Sequence, residues 1–183
     1  MTSPLAQPVY WFRQGIEALT AFARPVDFDL AAAHLSPELL LLFRRMQRND
    51  QLHSLNVLRS VLAQVATTPP DLATAALLHD AGKSRYHVMV WQRTLATLLW
   101  VAVPARFERL GRYDGSANNV PYWRQGFVIY TQHPAWSAEM AAPLGASESA
   151  LWLMAHHQED AALHSSHPLH PLLQRLQTAD DAN

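Results

Sequence analysis

Apolar residues recur at spacings of three and four along almost the whole chain, and sustained alternation of apolar and polar residues is missing. A period near 3.6 places apolar side chains on one face of an α-helix, whereas a half-buried strand requires a period of two. Glycine, which disfavours helices, occurs only six times. The pattern therefore predicts an all-α protein built as a single-domain helical bundle.

Turn and cap signals divide this pattern into separate helices. Ser36-Pro37 is a typical helix start, because proline fits the first helical position, and Ser147 is the expected N-cap of a later helix. Gly82 is expected to end a short apolar helix as a left-handed cap. The polar stretch 111–119 predicts an exposed loop. Helices are expected at about 10–23, 37–48, 49–66, 71–79, 86–103, 122–130, 134–142 and 148–158, with a last one starting at Pro168.

The size and charge of the chain limit the classes of protein it can belong to. Its 183 residues, 49% of them hydrophobic, suffice for one sizeable core but are short for two. We expect one globular unit, in which residues 1–48 form a helical extension packed on a main domain at 49–183. The 14 basic and 15 acidic side chains give a net charge of -1, so no global positive field attracts nucleic acid or an anionic membrane. Neither is an expected partner, and any phosphate recognition must be local.

Cysteine is absent, which excludes disulfides, thiolate metal sites and cysteine nucleophiles. The N-terminal residues lack the pattern of a signal peptide. The longest uncharged apolar stretch, Thr94 to Ala105, is shorter than the roughly 20 residues of a membrane-spanning helix. These features predict a soluble, cytoplasmic protein. The apolar run LLLLF at 39–43 is expected to cover the core, and the alternative is a face that forms a homodimer.

Histidine and aspartate residues occur at matching places on successive predicted helices that otherwise consist of core residues. His53 shares a helical face with Val57 and Val61, so it is expected to point inward. Burying one unpaired polar group costs roughly 2–7 kcal/mol, and several such groups in one interior are satisfied more cheaply by cations than by one another. Each histidine alone is typical of an ordinary hydrogen-bonded residue, but the ordered set predicts a metal site. The set is His53, His79, Asp80, His133, His156, His157 and Asp180.

The order His, His-Asp, His, His-His, Asp resembles the HD superfamily of metal-dependent phosphohydrolases. The likeness lies in the segments DQLHSLNVL, AALLHDAGKS, YTQHPAWSAEM, LMAHHQED and LQTADDAN, and it spans about Asn49 to Asn183. AALLHDAGK is its most specific piece and is close to the HDIGK form of the family motif, with Ala81 in place of isoleucine. The resemblance implies a helical HD-type fold that cleaves phosphoesters, commonly of nucleotides. The Gly-Tyr-Pro signature of the HD-GYP branch, which acts on cyclic dinucleotides, is absent after His157, and this counts against that branch.

The resemblance also implies a division of the ligands between two metals. The first metal would be held by His53, His79, Asp80 and Asp180. Asp80 would bridge to a second metal held by His133, His156 and His157. Imidazole and carboxylate ligands together suit Fe, Mn, Co, Ni or Zn, whereas an all-oxygen Mg site would not need five histidines. One or two such ions would activate a water for attack on phosphorus near neutral pH.

Lys83 follows the His79-Asp80 pair by three residues. Together with Asp80 it is a candidate catalytic residue, because its ammonium would lie at the mouth of the site and stabilise phosphate charge. The alternative is a solvated lysine whose charge favours the end of a helix dipole. His164, His167 and His170 form a tract that could bind adventitious metal, although an ordinary polar loop is the favoured interpretation.

The leading hypothesis is therefore a phosphohydrolase that acts on a small phosphomonoester or phosphodiester, expected to be a nucleotide. Two alternatives stay open on the sequence. A di-iron oxygenase of the same fold would use the same ligands, and a non-catalytic, metal-binding signalling module would need no turnover. The filled set of ligand positions favours an enzyme over the signalling module.

Overall fold

The computed structural model describes residues 25–113, 115 and 120–183. Within these ranges the chain forms nine α-helices and no strand, so the predicted all-α fold is confirmed. Short 3-10 helices lie at Ala81–Arg85, Tyr122–Arg124, Ala142–Leu144 and Ala161–His164. The α-helices are α1 (Phe28–Ala32), α2 (Pro37–Arg45), α3 (Arg48–Gln64), α4 (Pro70–Leu78), α5 (Val90–Ala102), α6 (Pro104–Gly111), α7 (Gln125–Ala141), α8 (Glu148–His156) and α9 (His170–Asp181).

Side-chain caps fix the starts of three helices. Ser36 Oγ accepts a hydrogen bond from the backbone N–H of Leu39 at 3.3 Å, and Ser147 Oγ accepts one from that of Ala150 at 3.1 Å. Such bonds satisfy N–H groups that have no partner within the helix. The predicted starts of α2 and α8 are therefore confirmed. Asp27 caps α1 in the same way, and this short helix was missed by the sequence prediction.

The two helices predicted at 122–130 and 134–142 are one helix, α7, with Pro134 inside it. Proline lacks an N–H and cannot bond to the carbonyl four residues earlier, which is that of Tyr130. That carbonyl instead receives Nδ1–H of His133 at 3.1 Å. The helix continues because the carbonyl that the proline leaves open is satisfied by a neighbouring side chain.

Helices α2, α3 and α8 end two or three residues earlier than predicted, and three other differences are larger. The helix predicted at 86–103 begins only at Val90, where the side chain of Gln92 accepts the N–H of Met89 at 2.7 Å. Helix α6 was not predicted, and its last residue, Gly111, was assigned to a loop. The last helix begins at His170 rather than Pro168. The helix predicted at 10–23 and most of the loop predicted at 111–119 lie outside the described residues.

Helix α4 occupies the centre of the main core. Six of its nine residues are buried, and they pack with residues of neighbouring helices such as Phe43 of α2, Leu58 of α3, Leu153 of α8 and Leu176 of α9. Because α4 is enclosed, the residues at its C-terminal end are carried into the interior of the protein. His79 is the C-cap of this helix, and Asp80 follows it. Both side chains are buried.

Helix α5 is apolar but lies at the periphery. Trp91, Leu98, Trp100 and Val101 each keep half or more of their surface exposed. The helix packs on α6 and α7 through a smaller set of residues that includes Ala96. No helix in the described ranges is long and apolar enough to cross a membrane.

Candidate metal centre

Six of the seven side chains predicted as metal ligands converge at the end of α4. They come from different segments of the chain, and their ligand atoms form three overlapping groups in which all atoms lie within 4.8 Å of one another. The groups are His53, His79 and Asp80; His79, His157 and Asp180; and Asp80, His133 and His157. The structure therefore contains buried histidine and aspartate groups that could hold a metal ion.

Asp80 lies between the other members of this cluster. Its Oδ2 is 3.6 Å from Nε2 of His79 and 3.9 Å from Nε2 of His53, whereas its Oδ1 is 3.3 Å from Nε2 of His133. The second carboxylate, Asp180, accepts a hydrogen bond from Nε2 of His53 at 2.8 Å and lies 3.5 Å from Nε2 of His79. The two oxygens of Asp80 thus face two different sets of imidazoles.

In three of the imidazoles, a backbone carbonyl of the preceding helical turn determines which ring nitrogen carries the proton. Nδ1 of His79 contacts the carbonyl of Ala76 at 3.0 Å, and Nδ1 of His157 contacts that of Met154 at 2.7 Å. Nδ1 of His133 contacts the carbonyl of Ile129 at 3.0 Å as well as that of Tyr130. A carbonyl oxygen can only accept, so each Nδ1 carries the proton and the neutral ring keeps a lone pair on Nε2. Metal-binding histidines are commonly oriented by such a bond.

These three Nε2 atoms are buried and have no hydrogen-bond partner among the described residues. The 3.3 Å contact between Nε2 of His133 and Oδ1 of Asp80 does not satisfy either atom, because a neutral imidazole with its proton on Nδ1 brings one lone pair against another. A buried polar atom without a partner costs about 1–3 kcal/mol. A cation placed among the Nε2 atoms and the carboxylates would satisfy all of them at once.

The pKa values of the cluster show where positive charge is favoured. Burial, together with the neighbouring His79 and His133, lowers the pKa of His157 to about 3. This ring is therefore neutral near pH 7, as a metal ligand must be. Burial also lowers the pKa of His79, but Asp80 and Asp180 outweigh burial and raise that pKa to about 9. Without a metal ion, a proton on His79 takes the place of a cation between the carboxylates.

Both carboxylates are held in the charged form. Burial raises the pKa of Asp80, but Lys83 and His79 outweigh it and keep that pKa well below its usual range. Burial likewise raises the pKa of Asp180, and His79 and His53 more than reverse the effect. The site therefore presents two anions and the neutral imidazoles of His133 and His157 to whatever occupies it.

Gly82 does not form the left-handed cap that the sequence predicted. Positive φ angles occur at Gly115 and Gly145 but not at Gly82, which lies within a 3-10 helix. Its importance is steric, since a Cβ atom at this position would lie 2.3 Å from the carbonyl oxygen of His133 and 2.9 Å from its Cα. The absence of a side chain allows the turn after Asp80 to pack directly on the backbone of α7.

Ser137 joins the same two segments and was missed by the sequence prediction. Its hydroxyl donates to the carbonyl of His79 at 2.6 Å and accepts the N–H of Gly82 at 2.8 Å. Ser137 lies four residues after His133 and therefore on the same face of α7. The spacing of four residues from His133 could have indicated that Ser137 faces the centre. A single serine beside alanine residues, however, does not indicate a function by itself. The two bonds fix the position of Asp80 relative to His133.

Lys83 lies at the edge of the centre. Its Nζ is 2.6 Å from Oδ2 of Asp80, and about a quarter of the side chain is exposed. The ammonium therefore contacts both the central carboxylate and solvent, and it partly neutralises the buried charge of Asp80.

His156 is not brought into the cluster. Its Nδ1 donates to the carbonyl of Trp152 at 2.7 Å, and its ring stacks on that of Trp152. The adjacent residue His157 points to the centre instead. Consecutive helical residues are rotated by about 100°, so two neighbouring imidazoles rarely face one interior point.

A cleft of about 640 Å³ leads from solvent to His157 and Asp180. Trp100 and Tyr130 line it with aromatic surface, and their ring centroids are 5.8 Å apart. The other described residues that line it carry amides, carboxylates and one methyl group: they are Gln158, Glu159, Asp160, Ala161, Gln177 and Asp181. An acidic, partly aromatic cleft thus borders the centre at His157 and Asp180.

No family model, curated protein or solved structure matches this chain. The resemblance to the HD superfamily therefore stays a prediction that rests on the motifs in the sequence. The division of the chain at residue 48 and the role of each ligand also stay predictions.

Proposed function

We propose that the chain is a metal-dependent phosphohydrolase that cleaves a small phosphomonoester or phosphodiester. The observation that carries the proposal is the set of three buried, unpartnered Nε2 atoms of His79, His133 and His157 arranged around the carboxylate of Asp80. Such an arrangement costs free energy in the absence of a cation. It is therefore best explained as a site that binds one.

The donor set favours a transition metal over magnesium or calcium. Four imidazoles and two carboxylates suit Fe, Mn, Co, Ni or Zn, whereas hard cations prefer oxygen ligands alone. The two oxygens of Asp80 face different imidazoles, so this carboxylate would hold metal together with His79 and His133. When bound, such ions lower the pKa of a coordinated water and polarise phosphoryl oxygens.

The protein supplies three further elements of a hydrolytic site. The buried ligands behind the centre exclude water from one side, while the cleft at His157 and Asp180 admits a substrate from the other. The ammonium of Lys83, 2.6 Å from Asp80 and partly exposed, would stabilise the negative charge of a phosphoryl group.

The cleft favours a substrate with little charge beyond the reacting phosphate. Trp100 and Tyr130 offer an aromatic surface on which a base could stack. Glu159, Asp160 and Asp181 would repel a polyphosphate chain. We therefore expect a nucleoside monophosphate to be a better substrate than the corresponding triphosphate.

The test combines metal analysis with an assay of phosphate release. The protein is purified without chelator, its metal content is measured, and hydrolysis of a panel of nucleotides is followed before and after reconstitution with Mn²⁺, Co²⁺ or Zn²⁺. We expect bound transition metal and metal-dependent hydrolysis. Protein that neither retains nor takes up metal, and that releases no phosphate, would contradict the proposal. Oxygen consumption by the ferrous protein without phosphate release would instead indicate an oxidative reaction.

Asp80→Asn is the matching variant, because it keeps the size of the side chain and removes its charge. We expect both metal retention and hydrolysis to be lost, with a fall in kcat/KM of about 1,000-fold, equal to about 4 kcal/mol. Asp71→Asn is the control. Asp71 lies in the first turn of α4, the helix that precedes Asp80, and accepts a hydrogen bond from Ser147 at the surface, so this variant should retain metal and activity.

A further inference from the structure

A second group of potential metal ligands lies outside the centre around Asp80. His156 ends α8, Glu159 follows in the next turn, and His164 ends the 3-10 helix Ala161–His164. One ligand atom from each lies within 4.8 Å of the others. Nε2 of His164 is 2.7 Å from Oε2 of Glu159. The three residues lie within one short segment, so the group is formed by local structure.

The ring of His156 is oriented as a metal ligand. Its Nδ1 donates to the carbonyl of Trp152, so the lone pair of the neutral ring is on Nε2. The ring of His164 approaches that of His156 edge-on, with centroids 4.7 Å apart. The same kind of backbone bond orients the imidazoles of the buried centre, and such bonds are common behind metal-binding histidines.

Trp152 holds this arrangement in place. Its ring stacks on that of His156 at 4.5 Å and on that of His167 at 3.8 Å, so the tryptophan has an imidazole on two sides. The ring of His164 contacts it edge-on at 5.2 Å. Packing of this kind restricts the rotamers of both ligating histidines before any ion binds. The entropic cost of assembling the ligands is thereby reduced.

We propose that His156, Glu159 and His164 form an outer binding site for a divalent transition metal such as Zn²⁺. Two imidazoles and one carboxylate are a common set of zinc ligands, with a fourth position left for water or another molecule. Glu159 also lines the cleft that leads to the buried centre. An ion at the outer site therefore adds positive charge to an otherwise acidic rim. The site itself does not depend on the proposed phosphohydrolase activity.

The test is calorimetric titration of the full chain with Zn²⁺, performed on the Asp80→Asn variant so that the buried centre contributes little. We expect one Zn²⁺ to bind, and we expect the added change His164→Ala to weaken this binding at least tenfold. His167→Ala, which removes a histidine stacked on the same tryptophan but outside the ligand group, should leave the affinity unchanged. Equal Zn²⁺ affinity in the presence and absence of His164 would overturn the proposal.

Two further variants separate loss of ligands from loss of structure. Glu159→Gln changes a half-exposed side chain, so it should weaken Zn²⁺ binding without changing the thermal unfolding temperature. His156→Ala in the otherwise unchanged protein should leave the metal content of the buried centre intact. Loss of metal from the buried centre in His156→Ala would assign His156 to that centre and would also overturn the proposal. Failure of the outer site would leave the proposed hydrolysis untouched, since Asp80→Asn tests that separately.

Discussion

The two histidine-containing clusters include adjacent residues, His157 in the buried centre and His156 in the outer site, yet they are built differently. The buried centre collects side chains that are far apart in the sequence, and three of its imidazoles have unpartnered Nε2 atoms. The outer site collects side chains from one short segment, and its carboxylate, Glu159, is about half exposed and already bonded to His164. The same residue types therefore occur in a buried cluster that excludes water and in an outer cluster that contacts solvent.

The difference between the clusters lies in what the protein loses without a cation. Water or a neighbouring side chain can satisfy the outer ligands, so the outer site permits an ion without requiring one. The buried Nε2 atoms of His133 and His157 have no such substitute, and each leaves a desolvated lone pair. Burial, rather than the identity of the ligands, makes the central cluster the stronger indication of a functional metal.

The largest effect on stability is expected from Gly82→Ala. The new Cβ would meet the backbone of His133 at 2.3 Å, and backbone atoms cannot move aside as a side chain can. We expect the free energy of unfolding to fall by about 3 kcal/mol and the buried centre to lose metal, while the outer site keeps its Zn²⁺ affinity. Denaturant unfolding and metal titration check both parts.

Gly145→Ala is the matched control for Gly82→Ala. Gly145 has a φ of 85°, and nothing lies within 4 Å of the position of an added Cβ. The Gly145→Ala change should lower the free energy of unfolding through backbone strain alone, by about 1–2 kcal/mol. Metal binding should not change. A stable Gly82→Ala protein with normal metal content would show that α4 and α7 need not approach so closely to form the centre.

Metal should stabilise the fold mainly through the buried centre. Its ligands are assembled only in the folded chain, so an ion at 100 times its dissociation constant should add about 2.7 kcal/mol. The outer ligands lie in one segment and can still meet in the unfolded chain, which reduces the corresponding gain. Removal of metal with a chelator should therefore lower the thermal unfolding temperature of the wild type strongly and that of Asp80→Asn weakly. An equal response in both proteins would contradict this distinction.

Ser137→Ala should have an intermediate effect. The change removes the hydroxyl that bonds to the carbonyl of His79 and the N–H of Gly82, leaving buried backbone groups without that partner. We expect a loss of about 2 kcal/mol in unfolding free energy and weaker metal binding at the buried centre only. Ser166→Ala, at an exposed position, is the control. Unchanged metal affinity in Ser137→Ala would mean that α4 and α7 are held together without this bridge.

The smallest effect is expected from Lys83→Gln. Loss of the ammonium should lower kcat about tenfold, equal to about 1.4 kcal/mol, because a phosphoryl group loses one stabilising charge. Metal binding should not weaken, since the lysine competes with cations for Oδ2 of Asp80. Arg85→Gln is the control, because Arg85 pairs with Glu139 instead. Loss of metal from the Lys83→Gln protein would show a structural role and contradict the proposed one.

Much of the central cluster could be predicted because each of its residues interrupts a run of core residues. His79 and Asp80 follow the apolar helix α4, and His53 shares a face with Val57. The order of the residues was sufficient to select six side chains that the structure brings together. Helical periodicity also identified the fold class, since it reports directly on which faces are buried.

The errors have a common physical cause, which is that the pattern along the chain does not record how segments approach one another. His156 was grouped with His157 because the resemblance to the HD superfamily implies that both hold one metal, although the end of α8 turns them to different surroundings. Gly82 was assigned a backbone role when its actual role is contact with α7. Ser137 was overlooked because its partners, His79 and Gly82, are more than 50 residues away in the sequence.

Pro134 gives the neighbouring imidazole an acceptor that an ordinary helix would not leave open. An N–H at position 134 would compete for the carbonyl of Tyr130, which here receives Nδ1–H of His133. The proline thereby helps to keep the ring proton on the side away from Asp80. A protein can thus set the tautomer of a potential ligand by deleting a backbone donor, without adding any polar side chain.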